Sequence, residues 1–179
     1  PDLENTMVIC RSNKAANLYN QHIRNQILFR DEEITGGDLI MVVRNNYYWL
    51  QQHDAAQTGF IANGDMAKIR KVSNVHEMHG FRFADLLLDF LDGNEDDSIQ
   101  CRILLDSLYV ESPNLPQDQL QKSYESIALD YQDILDKNRR AEAIKQDPYF
   151  NALQIKFAYA ITCHKAQGGQ WPSVFIDQG

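Results

Sequence analysis

The sequence predicts an α/β protein in which two α/β segments enclose a β-rich insertion. Three observations predict it: a strand–loop–helix unit opens the chain, short strand-like runs separated by turns fill its middle, and strand-like runs return after a long helical pattern. Residues 8–10 read as a short buried strand. Asn13 is placed to cap the following helix, in which Ala16, Tyr19, Ile23 and Ile27 recur at helical spacing to about Phe29. The Thr35-Gly36-Gly37-Asp38 turn leads into a strand over 39–44. Residues 59–73, 80–91 and 98–105 read as further short strands, which together predict a small antiparallel sheet or barrel. From 117 to 146 the residues Leu120, Tyr124, Ile127, Ala128, Tyr131, Ile134 and Leu135 fall on one stripe, predicting an amphipathic helix that breaks before Pro148. Residues 155–162 and 173–177 read as strands joined by a polar turn containing glycine.

Composition narrows the function classes. The 179 residues are 44% apolar, enough to bury a real core, and 17 Lys and Arg against 25 Asp and Glu give a net charge of −8. Eleven of the acidic residues but only five of the basic ones lie between 46 and 115. A free-standing nucleic-acid binder presents a basic face that displaces counterions from phosphates, and the overall charge offers none. Contact with DNA therefore has to come from a few local residues. Cys10, Cys101 and Cys163 are far apart and lack CxxC spacing, so neither a disulfide framework nor a zinc knuckle is expected, which fits a cytoplasmic location. No apolar run approaches the roughly 20 residues of a membrane span, so a membrane is not an expected partner. The chain opens on Pro1 without a signal peptide and reads as part of a longer protein.

The most informative stretch is Phe157-Ala158-Tyr159-Ala160-Ile161-Thr162-Cys163-His164-Lys165-Ala166-Gln167-Gly168-Gly169-Gln170-Trp171. A buried strand delivers at its end a hydroxyl, an imidazole, an ammonium and an amide, followed by two glycines that permit close backbone approach. Thr162 and His164 can hydrogen-bond phosphate oxygens, Lys165 supplies charge, and Gly168 and Gly169 can leave amides pointing outward as an anion nest. By spacing alone, a capped strand end with a structural histidine is the favoured reading, since short motifs often match by chance.

The whole string resembles motif V of superfamily 1 helicases of the RecD and Dda kind, of which the alpha subunit of exodeoxyribonuclease V is one. Val8-Ile9-Cys10-Arg11-Ser12-Asn13-Lys14, followed by Asn20, Ile23 and Arg24, resembles the strand–helix segment of their second RecA-like domain. Gly37-Asp38-Leu39-Ile40-Met41, Asn45-Asn46-Tyr47 and Asn63-Gly64-Asp65 resemble their inserted SH3-like barrel. The resemblance implies a partial RecA-like, P-loop NTPase-type second motor domain divided by that barrel. Its first part is 1–36, the barrel 37–110, a helical connection 111–150 and its second part, carrying motif V, 151–179. It further implies single-stranded DNA contacts by Arg11, Asn13, Thr162 and His164, coupling to the nucleotide cleft by Gln167 and Gly168, and a ribose contact at Gln170, where a Glu is commoner. ATP and Mg²⁺ would serve the full-length protein, with a first RecA-like motor domain and other exonuclease V-type subunits as partners.

The 179 residues contain no G-x-x-x-x-G-K-[ST] phosphate loop, no Walker B Asp-Glu pair and no Arg-containing motif VI, so no complete catalytic set and no bound nucleotide or metal are expected of this chain alone. A reading from a different class is a non-catalytic interaction module that docks a partner through the barrel and acidic helix. Other constellations read as structural. His76-Glu77-Met78-His79 suggests a surface turn rather than a metal site, and Asp92-Gly93-Asn94-Glu95-Asp96-Asp97 a solvated hairpin tip. The run Tyr47-Tyr48-Trp49 fits base stacking and barrel packing equally.

Overall fold

The computed structural model describes residues 5–53, 59–93 and 98–178. Two sheets organise them. A three-stranded parallel sheet has the order β7-β1-β8, with β1 at Thr6–Cys10, β7 at Ala160–Thr162 and β8 at Ser173–Ile176. A closed barrel runs through β2 (Leu39–Val42), β3 (Met66–Met78), β4 (Phe81–Phe90), β5 (Ile99–Leu104) and β6 (Leu153–Phe157). Helix α1 (Asn13–His22) packs on the parallel sheet, the short α2 (Trp49–His53) on the barrel, and α3 (Gln117–Asp130) and α4 (Lys137–Lys145) lie in the connection between β5 and β6. Among the described residues no helix is long and apolar enough to cross a membrane.

The mixed α/β chain with an enclosed barrel agrees with the sequence reading, and its boundaries differ in three places. First, residues 155–162 are two strands in two sheets. β6 closes the barrel, antiparallel to β2 and parallel to β5, so the barrel extends past residue 110 to include 153–157, which the sequence reading placed with the second motor segment. Every residue from Leu153 to Ile161 is buried, and the apolar run from Phe157 to Ile161 carries no sign of where the chain changes partners. Second, the helix expected over 117–146 is interrupted. Asp136 starts α4 by accepting from the Arg139 amide at 2.8 Å, and Leu135, nominally on the apolar stripe, is 89% exposed. Third, the cap of α1 is Ser12, whose Oγ accepts from the Ala15 amide at 3.1 Å, and Asn13 is the first helical residue. The helix then passes into a π-helical turn over Ile23–Ile27.

Inward-facing residues of successive strands fill the barrel. Ile40, Ile69, Leu86, Leu88, Ile103 and Ile155 are all essentially inaccessible, and burial of each such side chain contributes roughly 1.5–3 kcal/mol. Register shifts between Ile69 and Lys71 and between Ser73 and His76 bend the long β3–β4 hairpin. Its tip is tied down rather than free. His76 Nε2 meets the Tyr149 hydroxyl at 3.0 Å, and His79 lies against Ser126 and Asp130 of α3. His79 thus holds α3 and His76 holds Tyr149, and no cluster of three potential metal ligands occurs among the described residues. Of the acidic stretch, residues 94–97 lie outside the described residues.

Only Ala158 and Tyr159 separate β6 from β7, and both are buried. Asn20 of α1 holds this joint with three bonds: its Nδ2 donates to the carbonyls of Phe157 (3.0 Å) and Ala160 (2.8 Å), and its Oδ1 accepts from the Ala160 amide (2.8 Å). Beside it, the fully buried Asp38 accepts from Arg24 Nε and Nη2, both at 3.0 Å, from Arg30 Nη1 at 2.7 Å and from the Tyr159 hydroxyl at 2.8 Å. The Arg24 guanidinium also stacks on the Phe157 ring at 4.3 Å. Burial, followed by the charge of Asp38, pushes the Tyr159 phenol up, which keeps it a donor.

Lys156 on β6 is buried, donates to the Val110 carbonyl, and has no carboxylate partner among the described residues. Burial lowers its pKa from the ordinary 10.5 to about 8. Between those values the unfolded chain binds more protons than the folded one, so this lysine makes stability rise with pH across pH 8 to 10.5. Urea unfolding of Lys156→Met against the parent chain over that window should show a flatter pH dependence in the variant; identical slopes would refute the assignment.

Candidate functional site

The parallel sheet places its candidate residues by register. β1 and β7 run side by side with Cys10 opposite Thr162, so their carboxyl ends finish at the same level. Arg11 and Asn13 leave the first strand end, Thr162 and His164 the second. The four residues assigned to DNA contact from the sequence, in two pairs 151 positions apart in the chain, thus share one crest. Crevices outside the carboxyl ends of parallel strands are where α/β sheets bind ligands. The amino terminus of α1, capped by Ser12, opens on the same crest, adding the positive end of the helix dipole.

The turn after β7 is built tightly. The Thr162 carbonyl accepts from the amides of Lys165 (2.9 Å) and Ala166 (3.0 Å), and the Cys163 amide donates to the Cys10 carbonyl at 3.0 Å. Gly168 has φ of +82°, a left-handed conformation that a side chain would strain, and no atom lies within 4 Å of where a Cβ would stand. Gly169 is small for another reason. A Cβ there would lie 2.1 Å from the Trp171 ring, which packs against the core, and the Gly169 amide already donates to the Ala166 carbonyl at 3.1 Å. The outward-facing nest expected of both glycines is therefore spent at Gly169 on the turn itself.

Side-chain commitment separates the crest from its support. Among the described residues, the side chains of Arg11, Asn13, Thr162, His164, Gln167 and Gln170 make no hydrogen bond or ion pair, and Arg11, His164, Gln167 and Gln170 are exposed. By contrast, Asn20, Arg24, Asp38 and Tyr159 just beneath are fully engaged. A hydroxyl, an imidazole, a guanidinium and amides standing uncommitted beside a helix amino terminus can receive an anionic backbone. Lys165 is half-buried and its ammonium touches Asn63 Oδ1 in the barrel, so it links the two sheets; burial lowers its pKa. The sequence reading gave Lys165 charge but not this contact. It also read Asn20 only as part of the strand–helix segment; its burial among backbone groups depends on a fold that spacing does not reveal.

The aromatic run divides. Trp49 packs on the barrel core, donating from Nε1 to the Asn151 carbonyl at 2.8 Å, and Tyr48 meets it edge-on at 4.9 Å. Tyr47 is 58% exposed beside Phe60.

Residues 157–179, from the end of β6 through the crest turn and β8, match the family model of the UvrD-like helicase C-terminal domain. The match supports a superfamily 1 helicase relationship for this part of the chain. No curated protein matches the chain.

Proposed function

We propose that this chain is part of an ATP-dependent DNA helicase or translocase of the RecD and Dda kind, resembling the alpha subunit of exodeoxyribonuclease V and acting in DNA recombination or repair. In this reading, 1–36 and the segment after Tyr159 form part of a second RecA-like motor domain, and the barrel is its insertion. The observation that carries the proposal is the crest: uncommitted Arg11, Asn13, Thr162 and His164 gathered over two parallel strand ends, of which Thr162 and His164 lie inside the segment that matches a helicase family model. Single-stranded DNA would cross it with its phosphates toward these groups. Gln167, Gly168 and Gln170, on the far side of the turn, would face a nucleotide held mainly by a first motor domain, and closure of the two domains on ATP would shift the strand. When bound, ATP with Mg²⁺ supplies the free energy of that cycle. Other exonuclease V-type subunits are the proposed further partners.

A phosphate loop, a Walker B acid and a finger arginine are all absent from these 179 residues. The purified chain should accordingly release no phosphate from ATP above a control preparation, with or without single-stranded DNA. Turnover that copurifies with the chain through successive columns would overturn the assignment of the catalytic groups to other sequence.

A further inference from the structure

A cleft of about 750 Å³ lies between the barrel and α3, within the roughly 300–1,000 Å³ of sites that enclose small ligands. Its walls are unusual for this protein. The chain carries 25 acidic residues, yet among the described residues not one Asp or Glu lines the cleft, and the one charged lining residue among them is Arg44. Amides dominate instead, among them Asn45, Asn114 and Gln117, interleaved with Tyr47, Tyr124 and Phe150. The three rings are 58%, 40% and 42% exposed, large apolar faces left open to water. Asn114 and Gln117 are exposed and their side chains are bonded to nothing among the described residues.

The cleft adjoins the crest. Asn63, which the Lys165 ammonium touches, lines it, and Val43 lines both the cleft and the small pocket beneath Thr162 and Lys165. A polymer lying on the crest can therefore continue into the cleft across Lys165.

We propose that this cleft receives unpaired nucleobases of the single strand whose phosphates rest on the crest, an inference that rests on the reading given under Proposed function. Rings stack on base faces without regard to sequence, and amides, which both donate and accept, satisfy base edges. A lining without carboxylates among the described residues admits a polyanion that an acidic surface repels. One guanidinium is too little charge to hold several phosphates, so the bases point inward and the backbone stays at the solvent side.

The test is fluorescence anisotropy of the chain with labelled oligothymidylates of 4 to 16 nucleotides and with oligomers of equal length whose bases are removed. Thymidylates long enough to reach from crest to cleft should bind about tenfold more tightly than their abasic counterparts, and Tyr124→Ala with Phe150→Ala should erase that preference while leaving abasic binding unchanged. Gln117→Glu, at an exposed position that folding tolerates, should weaken only the long thymidylates. Equal binding of base-bearing and abasic strands, a preference that survives the cleft variants, or displacement of the cleft rings by an uncharged peptide and not by thymidylate would overturn the inference. Thr162→Ala with His164→Ala separates the two readings. Binding of abasic and thymidylate strands that is unchanged in this variant sinks the crest and leaves the cleft standing, whereas weakened binding of both together with no base preference in the parent chain keeps the crest and sinks the cleft.

Discussion

Asp38→Ala lowers the stability of this chain by about 3–5 kcal/mol, seen as a fall in the urea midpoint with an unchanged slope. The carboxylate is wholly buried and is the shared acceptor for Arg24, Arg30 and the Tyr159 hydroxyl. Removing it strands a buried guanidinium and a partly buried one without an anion, and that uncompensated charge, more than the lost contacts, sets the magnitude. It also frees the Thr35 amide that Asp38 Oδ2 accepts from at 2.9 Å, loosening the turn into β2. Asp38→Asn keeps the shape but not the charge, and should recover only part of the loss. A midpoint within experimental error of the parent in both variants would mean that the two arginines find other partners at no cost, and the account of the joint would fail.

The second large effect is expected in the full-length protein. Thr162→Ala with His164→Ala should cut DNA-stimulated ATPase activity at least tenfold and leave nucleotide binding without DNA within about twofold. Hydrogen bonds to charged groups contribute about 1.5–3 kcal/mol, and two of them facing phosphates give a loss of that order. Because neither side chain supports another residue, the fold should survive, with unchanged thermal unfolding. Equal loss of stimulated activity and nucleotide binding would place these groups on the nucleotide rather than on DNA. No loss of either would remove them from the machinery.

Legibility in the sequence followed contiguity. The crest turn was readable because its hydroxyl, imidazole and glycines sit within eight residues at the end of an apolar run, and residues 8–13 were readable as a second strand end. Their adjacency was not, since only the pairing of β1 with β7 brings residues 10 and 162 together. Asp38 looked like a turn residue following two glycines. Its role depends on arginines 14 and 8 residues earlier and a tyrosine 121 later, none marked by spacing. The division of 155–162 between two sheets left no trace because the buried stretch from Phe157 to Ile161, where the change falls, is apolar throughout, and the break at Asp136 was masked by Ile134 and Leu135 continuing the stripe. The cleft escaped notice because its walls come from six separated stretches of chain and its defining feature is a type of residue that is missing from its described lining.

The two residues between β6 and β7 have a mechanical meaning. A hinge needs backbone free to change its angles, and here the Ala158 amide is bonded to the Leu39 carbonyl at 2.9 Å, the Tyr159 carbonyl takes the Val8 amide at 3.1 Å, and Asn20 grips both neighbours. The barrel is therefore welded to the strand ends rather than tethered to them. A displacement imposed at Thr162 should carry the barrel with it as one piece rather than being absorbed at the joint.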